Sequence, residues 1–446
     1  MSFSAASLHA VLDSHVPRDA IGLVVALSGG ADSAALLSAA TDLIKDFRAL
    51  PLRAVHIDHG LQAAAAEFRT ACHSLCAHLR VPLTVISVLV DAEPGESLEA
   101  AARTARYAAL AAQLRPMECL LTAHHREDQA ETLLLQALRG AGVKGLSAMP
   151  VCRRLGAGWH VRPLLDVAQR ELLLFGAQLQ HLKSVDPMNE DMRFDRSYLR
   201  RQVWPPLVQR WPGAGISLSR TARHMAEAQT LLDSAAAADV SRLRDGDALW
   251  VPALRALPPL RRMNAVRLWL SEAEVEPPSA ARLGEALRQV LDADSDQLPS
   301  VVWGMSALRR YRQRLFLTAA HPPRLEAARP WAAHLDSRVD LGARLGSLTW
   351  VAQIGGIAAQ SLPENLIVRR RGGGETLKPE GLARTQSVQH LCQSQGVLPW
   401  MRDALPLIFA GDALIAVADL WEDARFRVAA DAPGLAVEWR NGPIVV

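Results

Sequence analysis

Lysine is nearly missing from this 446-residue chain: only Lys45, Lys144, Lys183 and Lys378 occur, and the other 45 of its 49 basic residues are arginine. No G-x-x-x-x-G-K-[ST] run exists, because the nearest imitation, Gly140 to Gly145, is followed by Leu146 and lacks the lysine and hydroxyl. That disfavours a Walker-type ATPase. No G-x-G-x-x-G follows the first apolar run, which removes the dinucleotide fingerprint. Cysteine is sparse and scattered: Cys72, Cys76, Cys119, Cys152 and Cys392 form no C-x-x-C pair. A disulfide framework or zinc ribbon is therefore not expected. No charge excess exists either, with 49 basic against 46 acidic residues. A wholesale polyanion-coating protein is not indicated, and local patches must carry any nucleic-acid argument. Arginine's forked donors suit phosphates and base edges, although codon bias explains the same ratio. Met1 to His15 has no basic start followed by a long apolar core, and no stretch is apolar enough to span a bilayer. The expectation is a soluble, reducing, cytoplasmic protein with no membrane partner.

What is present is a regular alternation. Strand candidates at Leu23–Leu27, Leu52–Asp58, Leu83–Val88 and Cys119–Ala123 are separated by alanine-rich helical runs at Ser33–Lys45, Ala64–Leu79, Ser97–Leu114 and Asp128–Arg139. This order calls for a parallel sheet with helices on both faces, with ligands at the carboxyl ends of the strands. The fold class is α/β. All eleven tryptophans lie from Trp159 onward, so further domains follow. The expected division is 1–215 for the sheet domain, 216–330 for a connecting helix and a mainly helical domain, and 344–446 for a small α+β domain. Prolines at 258, 259, 277, 278, 322 and 323 punctuate the middle.

The run Ser28-Gly29-Gly30-Ala31-Asp32-Ser33 closes the first strand and opens a helix. Glycines there free backbone N–H groups at the positive end of a helix dipole, beside two hydroxyls, which suits a polyphosphate. The Asp32 carboxylate offers a site for Mg²⁺. The alternative is a packing turn between strand and helix.

The loop resembles the signature of the N-type ATP pyrophosphatases (PP-loop, adenine nucleotide alpha hydrolase-like), which cleave ATP to AMP and pyrophosphate. Further segments are similar to those of the tRNA(Ile)-lysidine synthetases: His56-Ile57-Asp58-His59-Gly60-Leu61, Glu99 to Tyr107, Thr122 to Thr132, Gly145 to Met149, Arg162-Pro163-Leu164-Leu165, Asp186 to Arg200 with Asn189, Asp191, Arg196 and Arg200, and in the tail Arg370 to Gly373 and Ala418 to Trp421. The likeness covers nearly the whole chain, most weakly between about 240 and 343. It implies an ATP- and Mg²⁺-dependent ligase that joins free L-lysine to C2 of cytidine 34 in the CAU anticodon of an isoleucine tRNA. An adenylated cytidine is the intermediate, and decoding switches from AUG to AUA. The resemblance also implies site residues: Ser28, Gly29, Gly30, Ala31, Asp32 and Ser33 for ATP, Asp32 and Asp128 for the metal, Asp32, Asp128, Glu131 and His124 for catalysis, and Arg103, Arg106, Arg196 and Arg200 for tRNA. A homodimer is compatible with it.

Each assignment has a rival. Asp128 and Glu131 also suit a helix cap, His56 and His59 also suit backbone satisfaction, and His124-His125 with Asp128 invites a zinc reading. His124 or His125 would contact phosphate or move a proton. Arg193, Arg196, Arg200 and Arg201 recur at helical spacing, as a solvated face or, beside Phe194, Tyr198 and Trp204, as an RNA stripe. Arg126-Glu127 stands where the family commonly has Leu-Asp, Met188 where a serine is common, and Ser197 where an asparagine is usual. Other PP-loop tRNA-modifying enzymes, such as thiolases, and an inactive nucleotide- or RNA-binding protein are the alternatives.

Overall fold

The computed structural model describes residues 3–44, 47–58, 65–89, 98–177, 192, 194–294, 297–382 and 384–442. His59, Asn189, Asp191 and Arg193, named above, lie outside the described residues, as does the side chain of Glu99. The chain divides into two units, Met1–Leu232 and Asp233–Val446.

The first unit is built on a six-stranded sheet of β1 (Gly22–Ala26), β2 (Leu52–Asp58), β3 (Leu83–Ser87), β4 (Glu118–Leu121), β5 (Cys152–Leu155) and β6 (Gly158–Val161), in the order β3-β2-β1-β4-β6-β5. All pairs are parallel except β5 with β6. Every residue of β1 is buried, which is why it reads as an unbroken apolar run rather than an alternation: a central parallel strand is covered on both faces. Helices α1 (Ala5–His15), α2 (Ala31–Leu43), α3 (Ala65–Leu79), α4 (Leu98–Ala112), α5 (Arg126–Leu138), α6 (Val143–Leu146) and α7 (Gln169–Gly176) complete the layers. α2 is buried nearly all round and packs against α1 and α7 as well as the sheet, so its alanines and serines keep it slim enough for three neighbours.

The connection from β1 runs to β2 on one side, whereas the other neighbour of β1 is β4, with Val25 opposite both Ala54 and Leu121. The carboxyl ends of β1 and β4 therefore splay their loops apart, which opens a crevice there. Into it come α2 and α5 by their N-termini, and the four-residue helix α8 (Asp195–Tyr198) followed by a π-helical turn at Leu199–Val203.

In the second unit, five antiparallel strands between Arg244 and Ala319 pack with helices Val251–Ala256, Pro259–Glu272 and Ala280–Asp292 around Trp269, Leu283 and Leu308. The helices are those expected of the middle region, and the sheet is added to them. Three further antiparallel sheets, of five, three and two strands, and the helix Val388–Gln395 form the tail, cored by Trp331 stacked on Trp350 at 4.5 Å. The first unit, which ends at Leu232, takes in the first part of the helix Ala214–Leu243, the connecting helix expected after 215. The tail sheet begins at Arg329–Ala332, before 344, because that short strand pairs with Asn365–Arg369. A four-residue strand beside a double proline carries too little periodicity to be read.

Candidate active site

The loop after β1 is closed by its own hydroxyls. Ser33 Oγ donates to the Gly30 carbonyl at 3.0 Å and accepts the Ser28 N–H at 3.1 Å, and the two seryl oxygens lie 3.0 Å apart. Gly30 is the N-cap of α2 with no side-chain cap, so the first-turn amides stay available to an anion. Gly29 has φ +88°, and a Cβ there would stand 2.8 Å from Phe68 Cδ1. Only glycine suits both demands.

Asp32 lies in the first turn of α2. Burial raises its carboxyl above the usual range, and Asp128 adds to this, against the opposing effects of His125, Gln169 and Arg200. Its Oδ2 is 3.5 Å from Gln169 Nε2 and 3.7 Å from His125 Nε2, while Oδ1 is buried without a hydrogen-bond partner. An acidic oxygen left open in this way fits a hard divalent cation.

His125 caps α5 and is 3 % exposed. Its Nδ1 meets Glu127 Oε2 at 3.1 Å, and its Nε2 lies 3.4 Å from Asp128 Oδ2. Burial works to lower its pKa, but Glu127, Asp128 and Asp32 together outweigh that and raise it. Asp128 accepts the His125 backbone N–H at 3.0 Å, so the capping role weighed from the sequence is one of its parts. The other is an ion-pair cluster. Arg196 Nη2 and Arg200 Nη2 reach Asp128 Oδ1 at 2.9 and 3.1 Å, and Arg196 Nε and Arg200 Nε reach Glu131 at 3.0 and 2.7 Å. Burial opposes ionisation of Asp128, yet His125 and the arginines hold its carboxyl down at about 2. Arg196 and Arg200 are four residues apart, which puts both guanidinium groups on one helical face. From the sequence they read as a solvated face or as an RNA-contacting stripe. Here they turn inward to carboxylates and keep 24 % and 32 % side-chain exposure.

On the other flank, His124 Nδ1 and His160 Nε2 each lie 2.8 Å from Thr122 Oγ1. Tyr107 packs near His160, with Arg103 and Arg153 over its ring at 5.1 and 5.6 Å. Arg106 acts electrostatically on both His124 and His56. His56 is buried with Nδ1 2.8 Å from the Leu27 carbonyl, and so serves the backbone beneath the loop.

The structure thus brings Ser28, Gly29, Gly30, Ala31, Asp32, Ser33, Asp128, Glu131, Arg196 and Arg200 to one crevice, with His124 beside it on the β4–α5 loop. Sequence reasoning missed Gln169, Glu127, Thr122 and His160. Gln169, at the start of α7, also ties its N–H to Glu127 at 2.8 Å; the place of Glu127 as an acid in the first turn of α5 was the one local signal. The rest meet only through strand pairing of β4 with β6.

Residues 4–207 match the PP-loop domain family, 249–316 the TilS substrate binding domain and 366–439 the TilS substrate C-terminal domain. The tRNA(Ile)-lysidine synthase of Alkalilimnicola ehrlichii is 41 % identical over 413 residues, 91 % of each chain. That of Coxiella burnetii is 39 % identical over 88 % of this chain and 87 % of its own. That of Pseudomonas putida is 39 % identical over 89 % and 92 %. A nucleotide crevice of this construction, in a chain similar to these proteins from end to end, belongs to the tRNA(Ile)-lysidine synthase family.

Proposed function

We propose that this protein uses ATP to ligate lysine onto cytidine 34 of an isoleucine tRNA with a CAU anticodon. The observation that carries this reading is the convergence of open α2 amides, the unpartnered Asp32 Oδ1 and the Asp128–Glu131–arginine cluster in one crevice. The C2 carbonyl oxygen of the base attacks the α-phosphorus, pyrophosphate leaves, and the lysine amine then displaces AMP at C2.

The first-turn amides of α2 and the Ser28 hydroxyl receive the leaving pyrophosphate, on a loop held by Ser33 through the Gly30 carbonyl. His125, whose pKa is raised by its three carboxylate neighbours, adds positive charge when protonated, as do the partly exposed faces of Arg196 and Arg200. Mg²⁺ supplies charge neutralisation on the phosphates, and Asp32 with Asp128 would hold it. Asp32 has the free oxygen, whereas Asp128 already meets two arginines and a backbone N–H. In this reading Arg103 and Arg106, on α4, serve the RNA or the adenylate.

A thiolase role is poorly supported. Cys72 and Cys76 are buried, and burial pushes their thiols up to about 12 and about 11, which leaves no ready sulfur nucleophile. All five cysteines are free, which suits the reducing cytoplasm. No helix among the described residues is long and apolar enough to cross a membrane.

The deciding assay combines the protein with ATP, Mg²⁺, labelled lysine and an isoleucine tRNA transcript bearing CAU, in parallel with a methionine tRNA sharing that anticodon. Label in the first alone is expected. No label in either would overturn the ligase reading, and equal label in both would overturn the selectivity.

A further inference from the structure

His124, Thr122 and His160 form a hydrogen-bonded row across the carboxyl ends of β4 and β6. Thr122 Oγ1 stands 2.8 Å from His124 Nδ1 and 2.8 Å from His160 Nε2. The buried Thr122 hydroxyl has these two rings as its hydrogen-bond partners, and two N–H donors would leave its own proton without an acceptor, so it donates to one ring and accepts an N–H from the other. Both rings are neutral: burial first, then the charge of Asp128 against those of Arg162, Arg106 and Arg196, leaves His124 at about 3, and burial with Arg162 brings His160 to about 2. Each ring therefore carries one proton, and placing one places the other.

Two arrangements satisfy Thr122, and His160 chooses between them. This ring is fully buried and its Nδ1 has no hydrogen-bond partner. A proton on Nδ1 would be an orphaned donor in a buried site, among the charges of Arg162, Arg153 and Arg103 that already bear on the ring. A lone pair there instead faces those cations favourably. The proton of His160 thus belongs on Nε2, donated to Thr122, whose own proton passes to His124 Nδ1.

We propose that His160 and Thr122 form a tautomer lock that holds His124 with its proton on Nε2, the ring nitrogen left free by Thr122. His124 is the half-buried member of the row, at the end of the β4–α5 loop beside the nucleotide crevice. Locked in this way, it presents a fixed N–H to an oxygen and has no lone pair at that atom with which to take a proton. It is a hydrogen-bond donor to a phosphate or carbonyl oxygen, and not a general base. The identity of that oxygen rests on the proposed ligase reading; the lock does not.

Two-bond ¹H–¹⁵N spectra of the full chain labelled in histidine read the tautomers directly, with His124→Gln and His160→Gln assigning the two rings. Nε2–H is expected at both rings in the unsubstituted protein, and Thr122→Val should release His124 into a mixture while Thr122→Ser does not. An Nδ1–H form of His124 in the unsubstituted protein would overturn the lock, whether or not the variants fold. The donor role is read in pyrophosphate release. His124→Gln, which keeps an N–H, should fall about threefold, and His124→Leu about a hundredfold. Equal losses would overturn it. A protein that forms no lysidine yet shows the Nε2–H form refutes the ligase reading and leaves the lock standing.

Discussion

Arg200 grips Glu131 through two parallel hydrogen bonds, Nε to Oε1 at 2.7 Å and Nη2 to Oε2 at 2.8 Å. Arg196 reaches the same carboxylate, and Glu131 is 1 % exposed. The carboxylate is thus the buried anchor of a segment whose attachment to α5 spans 69 residues of chain.

Glu131→Ala leaves two guanidinium groups to share Asp128. Breaking a buried pair is costly, but both arginines are about a quarter to a third exposed, so the expected loss is about 2 kcal/mol. Urea unfolding should show a lower midpoint at unchanged slope. An unmoved midpoint would mean that the cluster contributes nothing to the fold.

Asp32→Asn should separate activity from stability. The substitution removes a carboxylate that burial disfavours and that has one oxygen without a partner. Pyrophosphate release is expected to drop about a hundredfold or more, while the metal-free protein melts no lower than before and tRNA retention on a filter is unchanged. Loss of tRNA binding would place Asp32 in a structural role.

His125 gives the fold a pH signature. Its folded-state pKa is raised above 6.5, so its stabilisation is fully present below that value and fades as pH rises through the raised one. Calorimetry of metal-free protein from about pH 6 to about pH 9 should show the melting temperature falling, and His125→Gln should flatten that slope. The groups facing the ring are Glu127, Asp128 and Asp32. A slope that survives the substitution would assign the effect elsewhere.

Gly29→Ala meets two obstacles, the positive φ and the Phe68 ring. Relief of the second alone does not remove the first, so the double variant Gly29→Ala with Phe68→Ala should still bind ATP at least about tenfold more weakly. Full recovery in the double variant, measured by ATP titration, would show that the ring is the sole constraint.

Much of the sheet was legible because its signal is local. Leu23–Leu27 is an apolar run with turn residues behind it, and β1 forms there; the loop that follows is contiguous, so its chemistry could be read residue by residue. Asp128 and Glu131 were legible as acids in the first turn of a helix. Their arginine partners were seen too, but as a surface stripe, because helical spacing says which residues share a face and nothing about what that face meets. The row from His124 to His160 was not legible at all. It depends on Leu120 standing opposite His160 in the β4–β6 pair, and β6 is four residues long, too short for an alternating pattern to declare itself. The tail failed similarly at Arg329–Ala332.

The pairing of β1 with β4 joins Gly22 to Glu118, and this has a meaning for the chain as it is made. The loop after β1 is made before its neighbour strand, which follows almost a hundred residues later, and Arg200 comes later still. Until then the loop has no opposite wall, and Asp128 and Glu131 lack their two arginine partners. A truncated product ending before Arg200 would carry the signature loop beside an Asp128–Glu131 pair that lacks its arginine partners, so the order of the strands finishes this crevice late.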